Sequence, residues 1–585
     1  VLKLARFLKP YSLPLLAAIV LLFLQANCDL ALPDYMSRIV NSLGAGEAGV
    51  RWDALLATGG TMLLLTLASA AATVIVGLIA ARVAAAFARD LRSAVFAKVE
   101  SFSQREFDEF STASLITRTT NDVMQMQMVV LMLVRMVFYA PIIGIGAVLR
   151  ALGKDSSMWW ILALALLAVS LLASAIYLIA VPKFKAIQRL TDRLGLVSRE
   201  RLGGIMVIRA FNSQAREEER FDGVNRELTS KLLFVSRAMA TLMPLMMLAM
   251  NAVTLLIIWA GSRQVGLAAM GVGDMIAFMQ YSMQIFFAFI MLSMMFIMLP
   301  RAAVSADRIA EVLGTELSIS DPPERAQAAA GARAAGGSGT AVEFRQVRFS
   351  YPGAEEEVLR DVSFTAEAGQ TTAIIGATGS GKSSLVGLLP RFYDASSGQV
   401  LVGGADVREL GLSELRSRIG YVPQRSTLFS GTIESNLRYA DEDAPPEAVE
   451  SAARIAQASE FIASMPEGMA SPVSQGGANL SGGQRQRLAI ARALLKRPPV
   501  YVFDDSFSAL DFKTDAALRR ALGKETAGAT VLVVTQRVSS ARQADRIVVL
   551  DEGKVVGCGT HAELMAGCEA YREIAVSQLS EEELR

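Results

Sequence analysis

The chain has 585 residues, of which 52% are hydrophobic and only 19% charged, with a mean hydropathy of +0.38. That excess excludes an ordinary soluble enzyme of this size and points to a membrane protein of two or three domains. Its 57 basic and 56 acidic residues leave a formal net charge of +1, so no basic surface is implied and no nucleic-acid partner is expected. With three cysteines and one histidine, a disulfide framework is excluded, and any Ser-His-Asp triad or multi-histidine metal site must use His561 or fail.

The hydrophobicity is concentrated before about residue 300. Six segments, Leu13 to Met36, Ala54 to Ala81, Val123 to Leu149, Met158 to Val181, Ala238 to Ala260 and Met275 to Leu299, are each long enough to cross about 30 Å of hydrocarbon as a helix. Lys3, Arg6 and Lys9 precede the first segment and no small-residue cleavage pattern follows it, so this start, which opens on Val1, predicts a retained helix and not a signal peptide. Lys and Arg are abundant in 82–122 and 182–237 but scarce in the loops around Arg51, Lys154 and Arg263, which predicts that both long segments and both termini are cytosolic. Helical periodicity in "ARDLRSAVFAKVESF" and "FNSQAREEERFDGVNREL" predicts cytosolic helical extensions, either coupling elements or solvated amphipathic hairpins.

Asp29 and Arg135 are ionisable residues inside apolar segments, which marks a cavity or a pair; an interfacial position for Asp29 and a cytosolic extension for Arg135 are the alternatives. Twelve of the 25 methionines fall between Met243 and Met298, and Met275, Met279, Met283 and Met294 share a helical face. Such thioethers suit either a cavity that re-packs around varied apolar compounds or filler between helices and lipid.

Residues 321–340, "DPPERAQAAAGARAAGGSGT", have linker composition and divide a membrane domain, 1–320, from a second domain, 341–585, with an α/β pattern. "AVEFRQVRFSY" predicts a strand, "TTAIIGATGSGKSSLVGLLPRFY" a buried strand, glycine turn and helix, and "PVYVFDD" and "ATVLVVTQ" further strands of a parallel sheet.

Within the second of these runs, Gly376-Ala377-Thr378-Gly379-Ser380-Gly381-Lys382-Ser383 fits G-x-x-x-x-G-K-[ST] between a strand and a helix. The glycines let backbone N–H groups close around phosphate oxygens, Lys382 supplies charge to the β/γ-phosphates, and the Ser383 hydroxyl can ligate Mg²⁺. Asp504 closes an apolar strand and is placed to reach the same ion. Ser481, Gly482, Gly483 and Gln484 open a second helical run whose N-terminus favours an anion. One nucleotide does not need two cradles, so this one is expected to close over a nucleotide held by another copy of the domain.

Six spans followed in order by "GATGSGKSS", "YVPQ", "LSGGQ", "VYVFDD" and "SALD" resemble the ABC transporters of the exporter type, over essentially the whole chain. The resemblance implies a multidomain fold: an all-α six-helix transmembrane domain followed by an α/β P-loop ATPase domain, in a bacterial cytoplasmic membrane. It implies ATP and Mg²⁺ as cofactors. Gly376, Thr378, Gly379, Ser380, Gly381, Lys382, Ser383 and Ser384 would bind the phosphates and Tyr351 would stack on adenine. Gln424 would join Ser383 and Asp504 at Mg²⁺, and Ser508 to Asp511 would communicate across a dimer. The inner loops around Phe107 to Leu115 and Arg209 to Phe221 would be coupling elements.

The chain departs from that pattern at two positions. Asp505 stands where the family has a catalytic Glu, and a carboxylate one methylene shorter is withdrawn by about 1.5 Å when a misplacement on the order of 1 Å can lower the rate a hundredfold. Gln536 stands where a switch His is usual, while His561 lies in "GTHAEL" near the C-terminus, a segment other members of the family also have, and reads as a surface or structural residue. Gln475 also replaces a common Glu. This pattern is similar to the degenerate subunit of bacterial heterodimeric multidrug exporters. It implies a partner half-transporter with Glu and His intact, a hydrophobic or amphipathic substrate, and an impaired site in this chain. Uptake by the same architecture, or a nucleotide-gated channel or sensor, remain the alternatives. Cys558, His561 and Cys568 supply only three ligands, too few for a closed structural zinc site.

Overall fold

The computed structural model describes residues 2–44, 52–154, 158–267, 269–323, 327–328, 330–331 and 341–579. Contacts divide the chain into two compact units, Val1–Glu100 with Ala113–Thr315, and Ser101–Thr112 with Glu316–Arg585. Most of the expected linker, 324–326, 329 and 332–340, lies outside the described residues.

The first unit is helical. A short 3-10 segment, Leu2–Tyr11, leads into α1 (Ser12–Gly44), followed by α2 (Trp52–Glu100). The short helix α3 (Gln104–Glu109) belongs to the second unit. Helices α4 (Thr112–Thr117), α5 (Val123–Leu133) and α6 (Ala140–Lys154) form one helical run interrupted by π turns at Arg118–Asp122 and Val134–Tyr139. Then come α7 (Trp159–Gly203), α8 (Ile205–Ala210), α9 (Gln214–Gly266) and α10 (Val272–Gly314).

Among the described residues five helical stretches are long and apolar enough to cross a membrane: Leu4–Leu43, Trp52–Glu100, Thr112–Lys154, Pro244–Gly266 and Val272–Leu292. The fourth expected span, Met158 to Val181, opens on the shorter apolar stretch Trp159–Ala168, and many side chains beyond it lie outside the described residues. As the charge pattern in the two long inner segments suggests, α2, α7 and α9 extend well past their apolar portions.

The packing is that of helices in lipid. Ala72, Val76 and Ala80 of α2 are buried, and Val76 and Ala80 pack with Ala18 and Leu22 of α1, where the small Ala18 and Ala80 let the helix backbones approach closely. On the other side of α2, Leu63, Leu64, Leu67 and Leu78 are exposed, an apolar surface that suits hydrocarbon and not water.

Several polar groups inside this unit bond to one another. Asp29 accepts from the Ser69 hydroxyl (2.6 Å) and the Tyr139 hydroxyl (2.7 Å), so it is held between helices. Near the ends of α1, α6 and α10, Asp34 pairs with Arg150 and Lys154, and Lys154 also reaches Asp274 at 2.9 Å. The Ser37 hydroxyl donates to Asp274 at 2.7 Å. Arg135 is exposed, 3.8 Å from where a Cβ on Gly77 would stand.

The second unit is α/β. Its main sheet runs β12-β11-β3-β10-β9-β6, built from β3 (Thr371–Ile375), β6 (Ile419–Val422), β9 (Val500–Asp504), β10 (Thr530–Thr535), β11 (Arg546–Asp551) and β12 (Lys554–Gly559). All neighbours are parallel except β11 and β12. An antiparallel sheet runs β2-β1-β4-β5, from β1 (Val342–Phe349), β2 (Leu359–Ala366), β4 (Ser397–Val402) and β5 (Ala405–Asp406), and β7 (Gly431–Thr432) pairs antiparallel with β8 (Pro472–Val473). The continuous apolar runs of β3, β9 and β10 are almost wholly buried, as expected for strands covered on both faces.

The segment Ser101–Thr112 is tied into this unit by specific bonds. Glu106 Oε2 accepts from the Ser103 amide (2.7 Å) and hydroxyl (2.6 Å), while its Oε1 accepts from the Ser318 amide at 2.9 Å. The Tyr393 hydroxyl donates to Asp108 Oδ2 at 2.6 Å. Phe102 stacks on Phe110 and meets the edge of Phe107.

Candidate functional site

The sheet order places β10 between β3 and β9, so the C-terminal ends of three adjacent parallel strands open at one edge. At that edge Ile375 pairs in register with Thr535, and Val534 with Asp504. The residues that follow are the glycine loop after β3, Gln536 after β10 and Asp505 after β9. The topology therefore brings together groups separated by up to 158 positions.

Two glycines make the loop possible. A Cβ on Gly376 would stand 2.0 Å from the Leu550 carbonyl oxygen, and Gly381 has φ +95° with Val358 and Leu359 closing on the same side. The helix Lys382–Gly387 starts directly after it. Lys382 is buried and its ammonium donates to the carbonyls of Gly376 (3.0 Å) and Ala377 (2.6 Å) and to the Ser380 hydroxyl (3.2 Å). Burial pushes its pKa below the ordinary lysine value, with the negative charges of Asp505 and Asp504 opposing that shift.

The Ser383 hydroxyl donates to Asp504 Oδ1 at 2.9 Å, and the Tyr421 hydroxyl approaches Oδ2 at 3.4 Å. Burial raises the pKa of Asp504, the Ser383 bond counteracts it, and the adjacent Asp505 adds to the rise. Asp505 is raised chiefly by burial as well, with the Gln424 amide and the Arg537 charge acting against it. Gln424 Nε2 lies 3.5 Å from Asp505 Oδ2, a long contact. Asp505 also has φ +46°, in the left-handed region. Gln536 Oε1 lies 3.4 Å from the Thr378 hydroxyl, and the Gln536 main-chain carbonyl accepts from Gln578 at 2.8 Å.

Ser383, Asp504 and Gln424 offer hard oxygen donors, the set that suits Mg²⁺ and not a softer metal. Tyr351 reaches the start of the loop helix through a 2.8 Å hydrogen bond between its hydroxyl and that of Ser384, and its ring makes edge contacts with Phe349 and Tyr393.

The second cradle is elsewhere. Ser481 caps the helix Gly482–Leu495: its hydroxyl accepts from the Gln484 amide (3.2 Å), and the Gln484 side chain accepts from the Ser481 amide (2.8 Å). A Cβ on Gly483 would stand 3.1 Å from the Ala509 carbonyl oxygen. Asp511 caps the helix Phe512–Glu525 by accepting from the Thr514 amide at 2.9 Å. Among the described residues no hydrogen bond or ion pair joins Ser481–Gln484 to the loop Gly376–Ser384.

His561 bonds through Nδ1 to the Tyr571 hydroxyl at 2.8 Å and sits edge-on to its ring. Cys558 is exposed and Cys568 buried, and among the described residues no group of three or more His, Cys, Asp or Glu is placed to hold a metal. Two participants escape sequence reasoning. Tyr421 was visible only as the first letter of "YVPQ". Gln578 comes from the C-terminal helix, where no motif marks it.

Two family descriptions match the chain: the ABC transporter transmembrane region over residues 15–289 and the ABC transporter domain over residues 359–508. An uncharacterised ABC transporter ATP-binding protein of Mycobacterium tuberculosis is 43% identical over 85% of this chain and 84% of its own length. The uncharacterised ABC transporter ATP-binding protein YfiB of Bacillus subtilis is 36% identical over 99% of both chains. The ATP-dependent lipid A-core flippase of Pseudomonas aeruginosa is 33% identical over 86% of this chain and 82% of its own. Among solved structures, a bacterial Atm1-family ABC exporter with ATP bound superposes with a TM-score of 0.77 at 25% identity, covering 98% of this chain and 99% of that one. On these matches, and on a fold that joins apolar helices to an α/β unit with its glycine loop, the chain belongs to the ABC transporters as an exporter-type fusion of a transmembrane region and an ABC ATPase domain.

Proposed function

We infer that this chain is one half of a heterodimeric ATP-driven exporter that moves hydrophobic or amphipathic compounds across a bacterial cytoplasmic membrane, with six spans and both termini in the cytosol. One observation carries the reading. Asp505 and Gln536 stand at two reacting positions of a site that keeps its loop glycines, Lys382, Ser383 and Asp504. Selective loss of the residues that activate and sense the reaction, with the binding parts kept, suits a site that holds MgATP and turns it over slowly.

Bound Mg²⁺ would neutralise phosphate charge from its place beside Ser383 and Asp504. Tyr351 would stack on the base. Ser481 to Gln484, intact and remote from the chain's own loop, would complete the competent site of a partner half-transporter that retains Glu and His. Ser508 to Asp511, packed under the signature glycines, would pass closure between the two sites. The 101–112 segment, bonded to Ser318 and Tyr393, supports a coupling role for the first inner loop.

ATPase turnover of the purified chain, measured alone and with the product of its neighbouring gene, tests the reading. Turnover should be negligible alone and restored in the pair. Brisk turnover by the chain alone, abolished by Asp505→Asn, would overturn it.

A further inference from the structure

A cavity of about 370 Å³ lies inside the membrane unit, lined by Asp29, Leu32 and Pro33 of α1, Tyr139 and Ile143, and Gln280, Gln284, Phe287, Ala288 and Met291 of α10. On α10 the residues 280, 284, 287 and 291 recur at helical spacing, so they form one continuous face.

Pro33 sets the chemistry of this face. It has no N–H, so the main-chain carbonyl four residues earlier, that of Asp29, is left out of the helical ladder. Gln284 fills the gap by donating from Nε2 to the Asp29 carbonyl oxygen at 3.2 Å. Because that partner is a carbonyl, the amide orientation is fixed, and Oε1 must point the other way. There it is buried and, among the described residues, without a hydrogen-bond partner. A buried acceptor left in that state is destabilising.

The Asp29 side chain is the second acceptor. Its two oxygens take hydrogen bonds from neutral hydroxyls, Ser69 and Tyr139, and among the described residues no Lys or Arg forms an ion pair with it. A carboxylate in a membrane segment with only neutral donors retains its demand for a cation. The cavity is thus lined by a carboxylate with no cationic partner among the described residues and by Gln284, whose Oε1 lacks a hydrogen-bond partner, flanked by Leu32, Ile143, Phe287 and Met291.

A second cavity of about 210 Å³ shares Gln280 and adds Met250, Met279, Met283 and Phe286. Polar recognition at one end and a re-packable apolar surface next to it are what an amphipathic compound needs.

We propose that Asp29 and Gln284 form a substrate subsite that selects amphipathic compounds bearing a protonated amine, the ammonium N–H groups meeting Asp29 and Gln284 Oε1 while the apolar portion extends along Phe287, Met291 and the methionines of α9 and α10. This deepens the exporter reading and rests on it for the direction of movement, but binding itself needs neither hydrolysis nor a partner.

The test uses the full chain in lipid nanodiscs and two fluorescent probes built on one dansyl-pentyl scaffold, monodansylcadaverine, which carries a terminal ammonium, and its neutral N-acetyl derivative. Equilibrium fluorescence titration should show the wild type favouring the ammonium probe at least tenfold. Asp29→Asn should bring the two probes within about twofold of each other, and Gln284→Met should reduce the preference at least threefold. Unchanged binding of a fluorescent ATP analogue by each variant shows that the chain is folded. An equal affinity of the wild type for both probes, or a preference that survives Asp29→Asn, overturns the subsite and leaves the exporter reading standing. A preference lost in Asp29→Asn, with no transport of the amine by the reconstituted pair, upholds the subsite and removes the exporter reading.

Discussion

Replacing Asp505 by Glu, together with Gln536 by His, is expected to turn a slow site into a working one. The carboxylate of Asp505 now stops 3.5 Å from the Gln424 amide. One added methylene advances it by about 1.5 Å, and a displacement of about 1 Å at a reacting group is worth on the order of a hundredfold in rate, or about 2.7 kcal/mol. The change has an opposing effect on stability. Asp505 has φ +46°, held there by its amide bond to the Val534 carbonyl (3.0 Å) and by the Ser508 hydroxyl on its own carbonyl (2.9 Å). Asp tolerates that region better than Glu, so the substitution should destabilise the ATPase unit by about 1 kcal/mol and lower Tm by about 2–4 °C. The assay is single-site ATP turnover in the proposed pair, with the catalytic glutamate expected of the partner changed to glutamine so that only this site is read. A rise of less than threefold, or a wild-type site already as fast as the double variant, would refute the argument that the shortened carboxylate limits the site.

Three further outcomes follow from the geometry. Gly376→Ala should abolish nucleotide binding and reduce folded yield, since its Cβ would fall 2.0 Å from a fixed backbone oxygen; equilibrium binding of a fluorescent ATP analogue and soluble yield report both. Asp504→Asn should raise the Tm of the nucleotide-free chain at pH 7.5 while removing Mg²⁺-dependent ATP binding. Its acid is raised by burial, so the ionised form carries a penalty in the fold at neutral pH that is relieved as pH falls, and Asn imitates the neutral form. Burial and then the Arg542 charge lower the pKa of His561 below the ordinary 6.5. Below about pH 6.5 the unfolded chain therefore takes up a proton that the folded unit resists, and stability falls with pH until the folded value is passed; His561→Gln should flatten a Tm-against-pH curve across that window.

The fold was legible where local sterics dictate it. Gly376 and Gly381 stand where no side chain fits, and the runs Ala373 to Ile375 and Val500 to Phe503 are apolar because both faces of their strands are covered. Long apolar helices were equally readable, because hydrocarbon imposes length and composition on any helix that crosses it. The attachment of Ser101–Thr112 to the second unit was not legible, since it rests on Glu106 meeting an amide 212 positions away. Nor was the setting of Asp29, whose alternatives turned on whether Ser69 and Tyr139, 40 and 110 positions distant, faced it. The positive φ of Asp505 also carries no signature, because aspartate follows aspartate in ordinary strands too.

The placement of 101–112 has a consequence for how such chains recombine. Exchange of nucleotide modules between related transporters at the linker would look clean in a gene, yet it would part Glu106 from Ser318 and Asp108 from Tyr393, leaving a foreign surface to receive α3. A fragment beginning at Glu316 has the same defect: it keeps the Ser318 amide and loses its acceptor. Heritable modules in this chain are therefore not contiguous. A viable chimera must carry Ser101–Thr112 along with the ATPase half, so that crossovers succeed only in threes, at about 100, 112 and 315.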